Sequence, residues 1–172
     1  VSEFVPFRFN VTLYSQEYAE QSADQEESAP PSPEAGEVLC AGAFSEVTGL
    51  EVNVEPKAIR EGGRNWGELQ RSGPAKFATV VLKRGVTTLN DLWKWFDATT
   101  RGANYSYRMQ AVIEVIDGMQ DDQPHKLMKW TLENALPVKF KGPDLSSTAN
   151  QVAIEELHLV HEGLSLERPV QG

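Results

Sequence analysis

Apolar and polar residues alternate strictly over residues 7–14. Phe7, Phe9, Val11 and Leu13 fall on one side of an extended chain, and Arg8, Asn10, Thr12 and Tyr14 on the other. The same two-residue period returns where Leu50, Val52 and Val54 oppose Glu51, Asn53 and Glu55. It recurs along Tyr105, Tyr107, Met109, Ala111, Ile113 and Val115. A chain with this period builds sheets that need one face covered. Further strands are expected over 39–44, 77–83, 127–140 and 152–160. One segment departs from the period: Leu89, Leu92, Trp93 and Phe96 recur at helical spacing. Thr87 or Thr88 stands ahead as a cap, Asp91 suits the positive end, and Arg101-Gly102 closes the segment. About six or seven strands and one helix predict a mainly β chain, an antiparallel sandwich or small barrel with one flanking α-helix. At 172 residues it is expected to be a single domain, 1–172, with room for a real core.

Two segments interrupt the strands. Residues 16–37 hold Glu17, Glu20, Asp24, Glu26, Glu27, Glu34 and Glu37 without one Lys or Arg, and Pro30, Pro31 and Pro33 lie among them. Such a composition cannot bury enough apolar surface to offset ordering, so a flexible acidic insertion is expected. It also accounts for most of the net charge of −9, and the rest of the chain is nearly neutral. A body without a basic stripe has no specific nucleic-acid site. The second interruption, about 60–74, contains Gly62, Gly63, Gly67 and Gly73 amid both charge signs and reads as a long loop. Pro56 places the strand before it at an edge, or ends that strand, and Pro137 marks a kink or an exposed edge. Val152 and Ile154 have one parity and Leu157 and Leu159 the other, which implies a bulge at Glu155-Glu156 or burial of both faces.

Chemistry is hard to place on this chain. Phosphate-loop, dinucleotide, nucleophile-elbow and zinc-protease motifs are all missing from it. His158 and His161 lie three apart on an expected strand, so their rings diverge and a shared metal is not expected; His125 lies in a turn without a useful neighbour. The acidic insertion lacks the spacing of a calcium loop, and Arg60-Glu61-Gly62-Gly63-Arg64 lacks the strand-to-helix setting of a phosphate nest. Cys40 is the single cysteine, so no internal disulfide forms, the redox compartment stays open, and a small buried hydrophobe is expected there. No apolar run is long enough for a membrane-spanning segment, and the first residues lack the basic and apolar regions of a secretory signal. Neither an enzyme nor a cofactor is expected. Trp95 lies off the helical stripe, as an interface aromatic or an ordinary partly buried one.

The wording of residues 43–96 is the most specific part of the chain. Phe44-Ser45-Glu46-Val47-Thr48-Gly49-Leu50, then Arg60-Glu61-Gly62-Gly63 and Asn65, then Leu82-Lys83-Arg84-Gly85-Val86 and Leu92-Trp93 with Trp95, occur in order. This series resembles the tube proteins of contractile phage tails and contractile injection systems, and more distantly the ring-forming tube protein of type VI secretion. The resemblance implies subunits assembling into a six-fold ring, rings stacking into an inner tube, and no catalysis. The implied partners are the chain itself, sheath subunits, baseplate hub or spike proteins, and cargo in the channel. Assembly would follow synthesis in the cytoplasm, and the product would be part of a tail or particle. The loop at about 55–74 would then reach a neighbouring subunit or ring. The expected interface residues are Glu55, Arg60, Glu61, Gly62, Gly63, Arg64, Asn65, Trp66 and Arg71, with Trp95 on the helix. Two departures, the acidic insertion and Gln70-Arg71-Ser72-Gly73-Pro74 in place of the family's Leu-Pro-Gly-type turn, leave room for the initiator ring that joins tube to baseplate hub. A rival outside this class is a monomeric β-sandwich binding module with an aromatic patch around Trp95.

Overall fold

The computed structural model describes residues 8–15, 38–101, 108–120, 123–148 and 153–168. The acidic insertion, Tyr105, Tyr107 and Val152 lie outside the described residues, as do the side chains of Cys40 and His125. Among the described residues are ten strands and one helix. They run β1 (Arg8–Ser15), β2 (Val38–Ala43), β3 (Glu46–Thr48), β4 (Val52–Ile59), β5 (Leu69–Phe77) and β6 (Val80–Gly85). Then come α1 (Asp91–Arg101), β7 (Met109–Gln120), β8 (Gln123–Lys141), β9 (Ile154–Val160) and β10 (Gly163–Glu167).

Every pairing is antiparallel. The main sheet runs β2-β1-β7-β8-β9-β6-β3, with β10 also on β8. Its two ends, β2 and β3, are joined through Phe44 and Ser45 alone, so the sheet curls back on itself. The small-barrel form of the expected fold is the one observed. A long β8 makes the corner: its first part pairs with β7 and β10, and residues 136–141 pair with β9. Asn134, at φ 51°, and a register shift after Pro137 mark the bend. Pro137 lies beyond the β7 pairing, where β8 is bonded on one side only, as a proline needs.

Alternation fills the barrel as the period predicts. Val11 and Leu13, Val80 and Leu82, Ala111 and Ile113, Leu132, and Leu157 and Leu159 form one buried cluster with Phe44. The parity anomaly resolves differently from either expectation. Pairing of β9 with β6 is continuous from Ile154 to Leu159; Ile154 is exposed, and the inward set is Glu155, Leu157 and Leu159. An acidic residue therefore points inward, directly opposite the buried Arg84 of β6.

The helix also differs in detail. Its first internal bond runs from the Lys94 N–H to the Asn90 carbonyl at 3.1 Å, so Asn90 is the cap. Thr87 instead accepts a bond from the Leu89 N–H at 3.2 Å in the preceding turn. The buried stripe is Leu92, Trp95 and Thr99, with Trp95 2% exposed. Leu89 is exposed and Trp93 is 41% exposed. Trp93 packs against Phe96 and Phe140, with ring centres 5.8 and 5.4 Å away, outside the main core. Leu89 begins before the first helical turn, so counting from it rotated the predicted stripe.

Candidate functional site

Among the described residues, strands β4 and β5 pair only with each other. Residues 55–74 are thus not a loop: Leu69 begins a strand that runs to Phe77, and only 60–68 connect the two. Register shifts between Val54 and Pro56 because β5 carries one extra residue there, Gly73 and Pro74 standing against Glu55 alone. A Cβ on Gly73 would lie 2.4 Å from the Glu55 carbonyl oxygen, so the crossing there requires glycine. Pro56 sits on an edge strand, as its missing donor demands.

The result is a solvent-facing arm. Val52, Val54, Pro56 and Ala58 share one face of β4 by parity, and Asn53, Glu55, Lys57 and Ile59 share the other. Val52 and Val54 remain 49% and 48% exposed, although their alternation reads as a half-buried strand. At the far end Ile59 faces Leu69, and both are partly buried. The connecting loop then carries Trp66, which is 95% exposed.

Nine of the ten expected interface residues lie on this arm. Glu55 binds Lys76 at 2.7 Å, and Arg60 spans the loop mouth to Glu68 at 2.6 Å. Gly62 and Gly63 stand in open space, Gly63 with φ 86°, beside the turn in which the Arg64 N–H meets the Glu61 carbonyl at 3.4 Å. Asn65, Trp66 and Arg71 are exposed, and Arg71 stands opposite Lys57. That like-charged pair is unfavourable within an isolated ribbon. Trp95 is the exception. Of the two readings open for it, interface aromatic or ordinary partial burial, its near-complete burial corrects the first and goes further than the second, and it removes the patch on which a monomeric binding module would have rested.

The motif residues outside the arm have structural work. Arg84 is buried and binds Asp91 of α1 and Glu155 of β9, with a 3.1 Å bond from Nη1 to Asp91 Oδ2 and its guanidinium 5.7 Å from the Phe44 ring centre. Burial works against its charge, but the bonds to Asp91 and Glu155 outweigh that and raise its pKa above the usual range. Ser45 donates from both its N–H (2.8 Å) and its hydroxyl (3.0 Å) to the Lys83 carbonyl, and Lys83 reaches Glu46 at 3.1 Å. These contacts hold the closing strand β3 against β6. The triad is not among the sequence expectations, although an Arg at inward parity in Val80-x-Leu82-x-Arg84 is its signal.

Among the described residues no group of three His, Cys, Asp or Glu side chains could hold a metal ion. No described helix is long and apolar enough to cross a membrane.

The family model for the T4-like virus tail tube protein gp19 matches residues 5–165. The chain belongs to that family. No curated protein sequence matches it significantly. Among solved structures, a chain of the anti-feeding prophage baseplate, determined by cryo-EM with six-fold symmetry, is 25% identical with a TM-score of 0.71; the match covers 98% of this chain and 97% of that one. A chain from the sheath-tube complex of PVC, an extracellular contractile injection system, is 20% identical with a TM-score of 0.68, over 98% and 95%. Hcp1 from Salmonella typhimurium is 12% identical with a TM-score of 0.52, over 96% and 89%. The last two likenesses speak for the fold alone. This tube protein is a structural subunit of a phage-tail-like particle, and its barrel is the tube-protein barrel.

Proposed function

We propose that the subunit forms hexameric rings through its β4–β5 arm, and that the rings stack into the inner tube of a contractile tail or injection particle. The single observation behind this reading is the arm. A two-stranded ribbon is marginal in water on its own, yet this one extends over eight- and nine-residue strands with valines exposed on one face and an exposed Trp at its tip. Such a device is stable when a second copy covers it. The six-fold symmetry of the 25%-identical baseplate relative supports the ring number.

In this reading Glu55, Arg60, Glu61, Gly62, Gly63, Arg64, Asn65, Trp66 and Arg71 make subunit contacts, while sheath and baseplate proteins meet other surfaces. The tube is a stiff channel, compatible with cargo, that sheath contraction drives into a target. Synthesis and assembly take place in the cytoplasm before the particle is released or attached to a membrane.

A second reading is the initiator ring at the baseplate. It is favoured by the baseplate relative, whose identity and TM-score both exceed those of the sheath-tube chain. Cryo-EM of the particle with this subunit labelled separates the two: many stacked rings support the tube, and one or two rings above the hub support the initiator. Monomer alone at every concentration, with no ring in any particle, would sink both.

A further inference from the structure

The arm meets the barrel at the corner between β9 and β10, where His161 and Glu162 sit. The His161 ring is 5.0 Å from that of Phe77, the last residue of β5. Beside it, the Ala78 N–H bonds the Glu51 carbonyl at 3.1 Å and closes the arm's root. His161 is buried, and its Nδ1 donates to the Gly163 carbonyl at 2.9 Å, so the neutral ring carries its proton there. Glu162 binds the Asn134 side chain at 2.9 Å and also Arg108, while its N–H donates to the Glu133 carbonyl at 3.0 Å. One residue thus seats the arm's root, and the next pins the bend in β8.

We infer that this corner is an acid-sensitive latch that sets the pose of the arm. Protonated His161 would be a cation enclosed beside Phe77. Protonated Glu162 would lose its charge-assisted hold on Arg108 and Asn134. Charged or titratable groups lie on the neighbouring elements among the described residues. From β8 there is Glu133, whose carboxylate lies against Gly163; ahead of β7 there is Arg108, already bound to Glu162. From β5 there is Lys76, bound to Glu55, and from β9 His158 beside Glu156.

The shifts point the same way as the geometry. Burial lowers the His161 pKa, against the opposing influence of backbone at Gly163 and Ala78. The bonds from Asn134 and then Arg108 lower that of Glu162. Both groups therefore favour the closed corner above their ordinary pKa values, and both lose that contribution as pH falls.

The consequence for assembly rests on the arm's proposed role; the latch itself does not. The test is amide exchange of the full chain by NMR between pH 7.5 and 5.0, corrected for intrinsic rates. Protection of the Ala78 amide should fall about tenfold relative to β7 amides. In His161→Asn, which keeps a donor for Gly163 but cannot take up a proton, it should stay flat. Glu162→Gln should start looser at neutral pH. An unchanged acid response in His161→Asn, or equal loses across β7, overturns the latch. Ring formation is scored separately by electron microscopy at pH 7.5. Rings with a flat Ala78 response sink the latch alone, whereas an acid-responsive Ala78 without rings supports the latch and sinks the assembly reading.

Discussion

At the scale of the residue, the largest sensitivities lie away from the arm. Arg84 is buried against two carboxylate partners, so Arg84→Met removes the cation that Asp91 and Glu155 share and should cost about 3–5 kcal/mol in urea unfolding. Lys83→Met, one residue away, removes only a partly exposed pair with Glu46 and should cost about 0–1 kcal/mol. If the two variants unfold alike, the triad is not the fastening described. Two glycines make a parallel contrast. Gly49 and Gly63 share φ 86°, but a Cβ on Gly49 would lie 2.1 Å from the Thr79 carbonyl oxygen, whereas Gly63 faces open space. Gly63→Ala should cost about 1–2 kcal/mol of backbone strain. Gly49→Ala should cost clearly more, read from the same unfolding midpoints. Sequence alone could name both glycines as turn residues but could not rank them, because the rank depends on Thr79, thirty residues from Gly49.

At the scale of the element, helix and arm differ in how much of each the sequence reveals. For α1 the type and end were legible from period and the Arg101 signal, but the buried face was displaced because Leu89 was counted into it. Trp95→Ala should therefore cost about 3–5 kcal/mol as a core truncation. Trp66→Ala should leave monomer stability within about 0.5 kcal/mol while abolishing rings in electron micrographs. Rings of normal stability from Trp66→Ala would remove the arm tip from the contact. The β5 strand was invisible as a strand because Arg71, Ser72, Gly73 and Pro74 have poor strand propensity. Its pairing with β4 overrides that propensity, and the bulge at Gly73-Pro74 absorbs the residues least suited to a ladder. Replacing residues 60–68 by an Asn-Gly turn should shorten the arm without unfolding the barrel, checked by circular dichroism, and should weaken ring formation.

At the scale of the whole molecule, acid should loosen the protein. His161 has its pKa lowered by burial, so its stabilising contribution is present above its ordinary value near 6.5 and is lost as pH falls through the lowered one. Thermal midpoints of the wild type should drop from pH 7 to pH 5 more than those of His161→Asn; a matching drop would assign the effect elsewhere. The fold class was legible because a two-residue period specifies covered faces wherever the chain runs extended. Closure was not legible: that β2 and β3 occupy opposite ends of one sheet depends on pairings far apart in the chain. Val52 and Val54 join both lessons. Their alternation determined that one face of the strand must be covered, since apolar side chains favour leaving water wherever they sit. Only the tertiary structure decided that the barrel does not cover it, because β4 leaves the sheet and, among the described residues, pairs solely with β5.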